Sequence, residues 1–351
     1  MGNLMNPLLD DFRKTVRHEK SSRVPVAIFN VAPFTTTFTG TDINAYYRDP
    51  GLKMAAQMKL MKMLPEIVMI PALWADFGPV LECSALGSEI LWLEHDPPFA
   101  RRAIHSYGEI DGLKPSDPEK DGLMPLALEH YRYMWDHVEK EYIDDWGCLD
   151  GTAITVGPVE ISGLLTDFQN FFLGFYDAPE KIKKLLEVVT ESVLRWIKAQ
   201  EKVNGRLKQL VVIDHMPAQV SANAFEEFCF PYLRRIFSEY SYATRVYHNE
   251  GNVTHILPRI ADLGVDVFHF GLDAGLAKKT IGDRVVLMGN VHPVNVLLNQ
   301  SPFEVKKVSL RCLEAGAPGG NFILSSGGGL APATPRENLE AMAEAARSFM
   351  T

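Results

Sequence analysis

The 351-residue chain has no cluster rich in lysine and arginine, and its 35 basic residues are outnumbered by 44 acidic ones. A formal net charge of -9 repels phosphate backbones, which argues against nucleic acid as a partner. No apolar run approaches the roughly 18 residues a membrane span needs, so no membrane partner is expected. The start, MGNLMNPLLDDFRK, lacks the apolar core of a signal peptide and the sixth-position Ser/Thr of a myristoylation signal. Cysteine is scarce: Cys83, Cys148, Cys229 and Cys312 lie far apart and form no CxxC pair. Reduced thiols in a cytoplasmic protein are the expectation. No GxGxxG follows the first apolar run, which argues against a doubly wound dinucleotide fold. No GxSxG elbow or Ser-His-Asp order supports nucleophilic hydrolysis.

What the chain does have is an alternation of short apolar runs and amphipathic helices. Eight runs stand out: Val24–Phe29, Glu66–Pro71, Thr152–Val156, Leu210–Asp214, Thr244–His248, Val265–His269, Arg284–Gly289 and Asn321–Ser325. Most are rich in Val and Ile and lack clean polar alternation, as strands covered on both faces do. Helical stripes separate them. Pro179–Asn204 carries Ile182, Leu185, Leu186, Val189 and Val193 on one face. Ala222–Tyr240 follows Ser221 as N-cap, Val253–Leu263 stops at Gly264, and Pro335–Met350 follows Thr334. The pattern predicts an α/β chain folded as a (β/α)8 TIM barrel. Roughly the first 20 residues are expected to form a helix packed outside the barrel. Residues 72–150 read as an elaborated connection after the second strand. No linker marks a boundary, so residues 1–351 are read as a single domain.

In a barrel the strand C-termini converge on one mouth, which makes the residues just past each run the candidates for chemistry. These are Asn30 after the first run, Trp74, Asp76 and Glu82 after the second, and Asp214 and His215 after the fourth. The fifth gives His248, Asn249 and Glu250, the sixth His269, the seventh Asn290 and His292, and the eighth Ser325, Ser326 and three glycines. Three of the ten histidines thus fall at the ends of three successive strands. Imidazole and carboxylate are good zinc ligands, and His248 and Glu250 are spaced to turn toward one point, with His269 or His215 as a third ligand and Asp214 or Glu82 behind. The alternative is that His248 hydrogen-bonds substrate and Glu250 pairs with an arginine or caps a helix. Gly327–Gly329 allow either close approach of an anion or a tight turn. The assignment is His248, Glu250 and His269 as metal ligands, and His215, Asp214 and Glu82 as catalytic groups. Asn30, Trp74, Asp76, Asn290 and Ser326 are assigned to substrate binding.

Longer motifs carry a family resemblance. Glu226–Ile236 (EEFCFPYLRRI) resembles the FEEFxxPYLKRI helix of the uroporphyrinogen decarboxylase superfamily, and Gly282–Pro293 (GDRVVLMGNVHP) its GDRVxLxGNxxP strand. Ile323–Met342 is similar to ILxxGxGxxPxTPxENLxAM, and Ala85-Leu86-Gly87 to the ALG after strand two. The resemblance itself implies a (β/α)8 barrel. The decarboxylases carry an Arg-rich RQAGRY loop after strand one, where this chain reads FNVAPFTTT (Phe29–Thr37), without arginine. An acidic tetrapyrrole would lose its cationic clamp. The other branch holds corrinoid-dependent methyltransferases. Those of the coenzyme M type bind zinc through a His-X-Cys pair after strand five and a Cys after strand eight. Here His248 matches the histidine, whereas Glu250 and Gly328 stand in place of the two cysteines. Glu82 matches an acidic residue in that branch's strand-two region. Oxygen in place of thiolate makes a harder, more Lewis-acidic site, suited to an ether or hydroxyl oxygen.

The expected function is therefore methyl transfer between a small substrate, methoxylated or similar, and a corrinoid protein partner, with zinc or a protonated acid pulling on the leaving oxygen. The runner-up is decarboxylation of a small or tetrapyrrole acid. A non-catalytic binding protein on a retained barrel is the third reading.

Overall fold

The computed structural model describes residues 7–349. Eight parallel strands alternate with helices: β1 (Ala27–Phe29), β2 (Val68–Ile70), β5 (Thr152–Val156), β6 (Gln209–Ile213), β7 (Thr244–Asn249), β8 (Val267–Phe270), β9 (Val286–Val291) and β10 (Phe322–Ser326). Each overlaps one of the eight apolar runs, with ends shifted by up to three residues. Two further short strands, β3 (Ile90–Leu91) and β4 (Phe99–Ala100), pair antiparallel inside the connection between β2 and β5. That connection also holds the helices Val80–Ala85, Met124–His137 and Lys140–Trp146. Among the described residues no helix is long and apolar enough to cross a membrane.

β5 through β10 are hydrogen-bonded in chain order, and β1 pairs with β2. β1 joins β10 through a Val26–Leu324 bridge and the Leu324 N–H bond to the Pro25 carbonyl at 2.9 Å. The ring of strands has one seam, between β2 and β5, which are not hydrogen-bonded to each other. Two buried glutamines serve its lips. Gln200, on the helix Pro179–Asn204, accepts from the Ile154 N–H and donates to the Ile154 carbonyl, each at 3.1 Å. Gln57, on the helix Pro50–Met63, does the same for Trp74, each at 3.0 Å. Backbone groups that a neighbouring strand would have bonded are satisfied by side-chain amides, so the seam leaves these positions paired.

Alternate residues of each strand point inward and fill the barrel. Phe29, Ile70, Ile154, Val211, Val246, Val267, Met288 and Ile323 belong to one buried cluster. The helix Pro7–Val16 adds Leu8, Leu9, Phe12 and Val16 to that same cluster. Its Arg13 reaches Asp150, just ahead of β5, at 3.4 Å. The first helix therefore stoppers the floor of the barrel, which corrects the expectation of a helix lying on the outside; its apolar face has a larger apolar surface to cover at the open barrel end. A second correction concerns Ala222–Tyr240, which is two helices, Ala222–Phe228 and Phe230–Glu239. Pro231 has no N–H to donate, and the chain breaks at Cys229. The Val253–Leu263 helix is confined to Leu257–Asp262, and Gly264 takes φ +83° as its stop. The last helix runs Arg336–Ser348, and Met350 lies outside the described residues.

Phe12 is 4% exposed within the barrel-floor cluster. Phe12→Ala should destabilise the protein by about 3–5 kcal/mol. The check is a lower urea midpoint at unchanged slope.

Candidate functional site

Strand parity decides which side chains share the mouth. Ile213 is inward, so Asp214 turns outward and His215 inward again. The same alternation turns His248 and Glu250 inward and Asn249 outward. His215, His248 and Glu250 offer one ligand atom each, all within 4.8 Å of one another. The His215 and His248 rings meet edge to face with centroids 5.0 Å apart. Phe29, from β1, lies against both His248 and His269, at 4.9 and 4.8 Å.

Hydrogen bonds orient these rings. His269 Nε2 lies 2.7 Å from the Ser326 carbonyl, which only accepts, so that nitrogen carries the proton. Burial lowers the His269 pKa to about 4 and holds His248 well below its usual value, so both rings are neutral near pH 7. His269 Nδ1 is then an acceptor, and the His248 Nδ1–H donates to it at 2.6 Å. His248 is left with its lone pair on Nε2. On the other side, His215 Nδ1 donates to Glu160 Oε2 at 2.8 Å, and the same oxygen accepts the His215 backbone N–H at 2.8 Å. His215 Nε2 is buried with no hydrogen-bond partner. An orphaned imidazole nitrogen beside a second imidazole lone pair and a carboxylate is the donor set of a metal site, and both histidines have the outer hydrogen bond that ligating histidines use.

Glu250 depends on a missing side chain. Its Oε2 accepts the Gly329 N–H at 3.0 Å, and a Cβ on Gly328 would lie 1.8 Å from that oxygen. The carboxylate occupies the volume that any side chain at 328 would need.

Beside this cluster lies a cavity of about 400 Å³ whose lining includes Trp74, Asp76, Glu82, Ile154, Glu160 and His215. Glu82 is 3% exposed. Its Oε1 accepts both the Val156 N–H at 3.0 Å and the Thr155 hydroxyl at 2.8 Å. Burial pushes its carboxyl up to about 7, against those two donors. With Oε1 doubly engaged as acceptor, the proton of the neutral acid belongs on Oε2. Asp76 accepts the Ala32 N–H at 2.7 Å and the Gly78 N–H at 2.8 Å, tying together the loops after β1 and β2. Trp74 donates its indole N–H to the Asn30 carbonyl at 2.7 Å.

The remaining expected site residues sit elsewhere. Asp214 is fully buried, and its two oxygens accept the Val159 and Glu160 N–H groups at 3.0 and 3.1 Å, capping the helix Pro158–Thr166. Burial drives its carboxyl well up while those donors oppose the shift. His269 has both ring nitrogens engaged and stands behind His248, and His215 takes its place among the clustered donors. Asn30 is buried between Ala72 and Thr35, and Ser326 bonds the Gly328 carbonyl through its hydroxyl at 2.6 Å. Asn290 donates to the Leu272 carbonyl while its Oδ1 is buried without a partner. None of these three lines the cavity. Glu160, Gln57 and Gln200 are absent from the sequence assignment. Glu160 lies four residues past β5, and the strand-end rule applied to the third barrel strand would have found it.

A family model described as uroporphyrinogen decarboxylase (URO-D) matches residues 8–349. The chain belongs to the uroporphyrinogen decarboxylase family. It is 26% identical over 311 residues to a uroporphyrinogen decarboxylase of Dechloromonas aromatica, covering 84% of this chain and 83% of that protein. It is 24% identical over 283 residues to the methylated-thiol–coenzyme M methyltransferase of Methanosarcina mazei, covering 80% and 74%. A solved methyltransferase from Methanosarcina mazei superposes with a TM-score of 0.83 over 97% of this chain and 98% of that one, at 21% identity, which establishes the barrel fold. Decarboxylases and a methyltransferase thus stand at similar distances from this member of the family, and the choice between them rests on the site.

Burial lowers the His215 pKa, but the Glu160 hydrogen bond and charge overcome it and leave the ring above 6.5. A raised histidine pKa contributes stability that is present below the unfolded value and lost as pH rises through the folded one. In chelator-treated protein, Glu160→Gln should bring the His215 titration down, followed by NMR of the ring protons, and flatten that part of the pH–stability curve.

Proposed function

We propose that this protein transfers a methyl group from a small, uncharged methoxylated substrate to a corrinoid carried by a partner protein, with His215, His248 and Glu250 holding zinc at the barrel mouth. The observation that carries the reading is the composition of the cavity. It joins a buried carboxyl, pushed up to about 7 by loss of water, to an orphaned imidazole nitrogen, and no lysine or arginine lines it.

Zinc at two imidazoles and a carboxylate would supply Lewis acidity toward an ether oxygen. The chain's own residues do the rest. Ser326 and His269 hold the His248 tautomer. Glu160 does the same for His215, and Asp214 fixes Glu160 by capping its helix. Glu82 supplies a proton from Oε2 to the oxygen whose bond to the methyl carbon breaks, so the demethylated product leaves as a neutral alcohol or phenol. A reduced corrinoid on the partner would accept the methyl carbon and supply the electron pair of the new bond, while the pair of the broken carbon–oxygen bond stays with the oxygen that Glu82 protonates. Similarity to a methylated-thiol methyltransferase supports this branch of the family.

Decarboxylation of an acidic tetrapyrrole fits the same site poorly. Asp76, Glu82 and Glu160 line the cavity with no lysine or arginine beside them, so the several carboxylates of a tetrapyrrole would lack the guanidinium or ammonium partners they need.

Protein purified without added metal should contain zinc at an equimolar ratio by elemental analysis. His215→Ala, His248→Ala and Glu250→Ala should each lose it, as should Gly328→Ala through displacement of Glu250. His269→Ala should weaken binding by about 10–100-fold. Turnover by a metal-free chain would sink the ligand assignment. Glu82→Gln should slow methyl transfer by about 10²–10⁴-fold. The wild-type rate should fall as pH rises through about 7, where Glu82 loses its proton, and the Gln variant should lack that limb.

A further inference from the structure

The cavity does not stop at the mouth. Beyond Trp74 and Ile154 it reaches the outer helices, where Tyr131 and Trp196 also line it. These residues flank the seam between β2 and β5. We propose that the seam is a binding subsite for the uncharged aromatic ring of the substrate, which lies between the two strands with its methoxy group turned toward Glu82 and His215. The proposal rests on the reading of those two residues as the reacting end.

The opening is built into the fold. Gln57 and Gln200 bond the backbone of Trp74 and Ile154 with both amide atoms, so neither lip seeks the other. Both glutamines are at least 99% buried. A carboxamide that takes both the donor and the acceptor of one residue replaces a strand partner and keeps the strands apart. The space between is walled by rings and aliphatic groups. An apolar cavity of about 150 Å³ already accepts benzene, and this one is about 400 Å³. A substituted ring therefore has room.

Charge narrows the class further. The charged groups facing the cavity are acidic apart from His215, so a ring bearing a carboxylate is disfavoured. One donor is unused: the Trp196 indole N–H is buried with no hydrogen-bond partner. Buried indole N–H groups are normally bonded, and an oxygen substituent on the far side of the ring would supply the acceptor. The substrate class is thus a neutral ring with oxygen substituents at two positions.

The probe is 1,2-dimethoxybenzene, titrated by calorimetry and by quenching of tryptophan fluorescence, without corrinoid or turnover. It should bind at least about tenfold more tightly than 3,4-dimethoxybenzoate. Ile154→Phe, which fills the seam, should weaken it by about tenfold or more at unchanged metal content in protein that remains folded. Ile154→Ala should shift the preference toward 2-methoxynaphthalene. Equal binding of the benzoate, or a ring preference indifferent to both Ile154 substitutions, overturns the proposal. A ring that binds in an Ile154-dependent way but is never demethylated removes the proposed reaction and leaves the subsite standing. Demethylation that ignores Ile154 does the reverse.

Discussion

The carbonyl of Ser326 can only accept a hydrogen bond, and from that restriction the chemistry of the mouth follows. It places the proton of His269 on Nε2, which places that of His248 on Nδ1, which leaves the His248 lone pair facing the cluster with His215 and Glu250. The relay runs across three strands, β10, β8 and β7, whose relative positions are set by their ladder hydrogen bonds. Burial keeps both rings neutral, so each carries a single proton and each proton's place fixes the next. A second chain of restraint runs from Asp214 through the helix Pro158–Thr166 to Glu160 and then to His215. Two imidazoles are thus aimed at one point by groups that never reach it.

The acid on the other side of the mouth is governed by a different force. Glu82 sits on the short helix Val80–Ala85 that follows β2, and it reaches across the seam to the backbone of β5. It serves as one of the hydrogen-bond partners that β5 lacks for want of a neighbouring strand. The bonds it accepts favour its ionised form, but loss of water outweighs them, and a carboxyl that helps hold the seam also keeps a proton near neutral pH. Structural satisfaction of an edge and readiness for acid chemistry are here properties of one side chain.

Much of this was legible in the sequence. Eight Val- and Ile-rich runs separated by amphipathic stripes are what a buried parallel barrel requires, because both strand faces are covered. Strand-end position directs attention to His215, His248, Glu250 and His269 together, but it selects His269 over His215 as the third ligand, whereas the clustered donor atoms are those of His215, His248 and Glu250. The period of two along each strand sharpens that position. It places His215 with Ile213 inside and Asp214 outside, and so separates a mouth residue from a helix cap two atoms of backbone away. His269 reads as a ligand from its strand-end position, but its partners, Ser326 and His248, come from other strands and no local pattern announces them. Glu160 was within reach of the strand-end rule. Gln57 and Gln200 were not, since a glutamine in an amphipathic helix reads as solvated until the strand it faces is known to lack a neighbour. The break at Cys229 is explained by Pro231, whose missing N–H outweighs an otherwise continuous helical stripe.

The first helix carries a consequence for how the chain is made. Leu8, Leu9 and Phe12 leave the ribosome before any strand, yet the surface they cover includes Ile323, from the last strand. Their burial must wait for nearly all of the barrel, so a segment made ahead of every strand is among the last to find its place. Until then its apolar face is uncovered, and contacts that span more than 300 residues make the final closure slow relative to formation of the individual β–α units. A nascent chain halted before β10 would hold most of its strands and still present an uncovered barrel floor, the form in which such a protein would call on a chaperone.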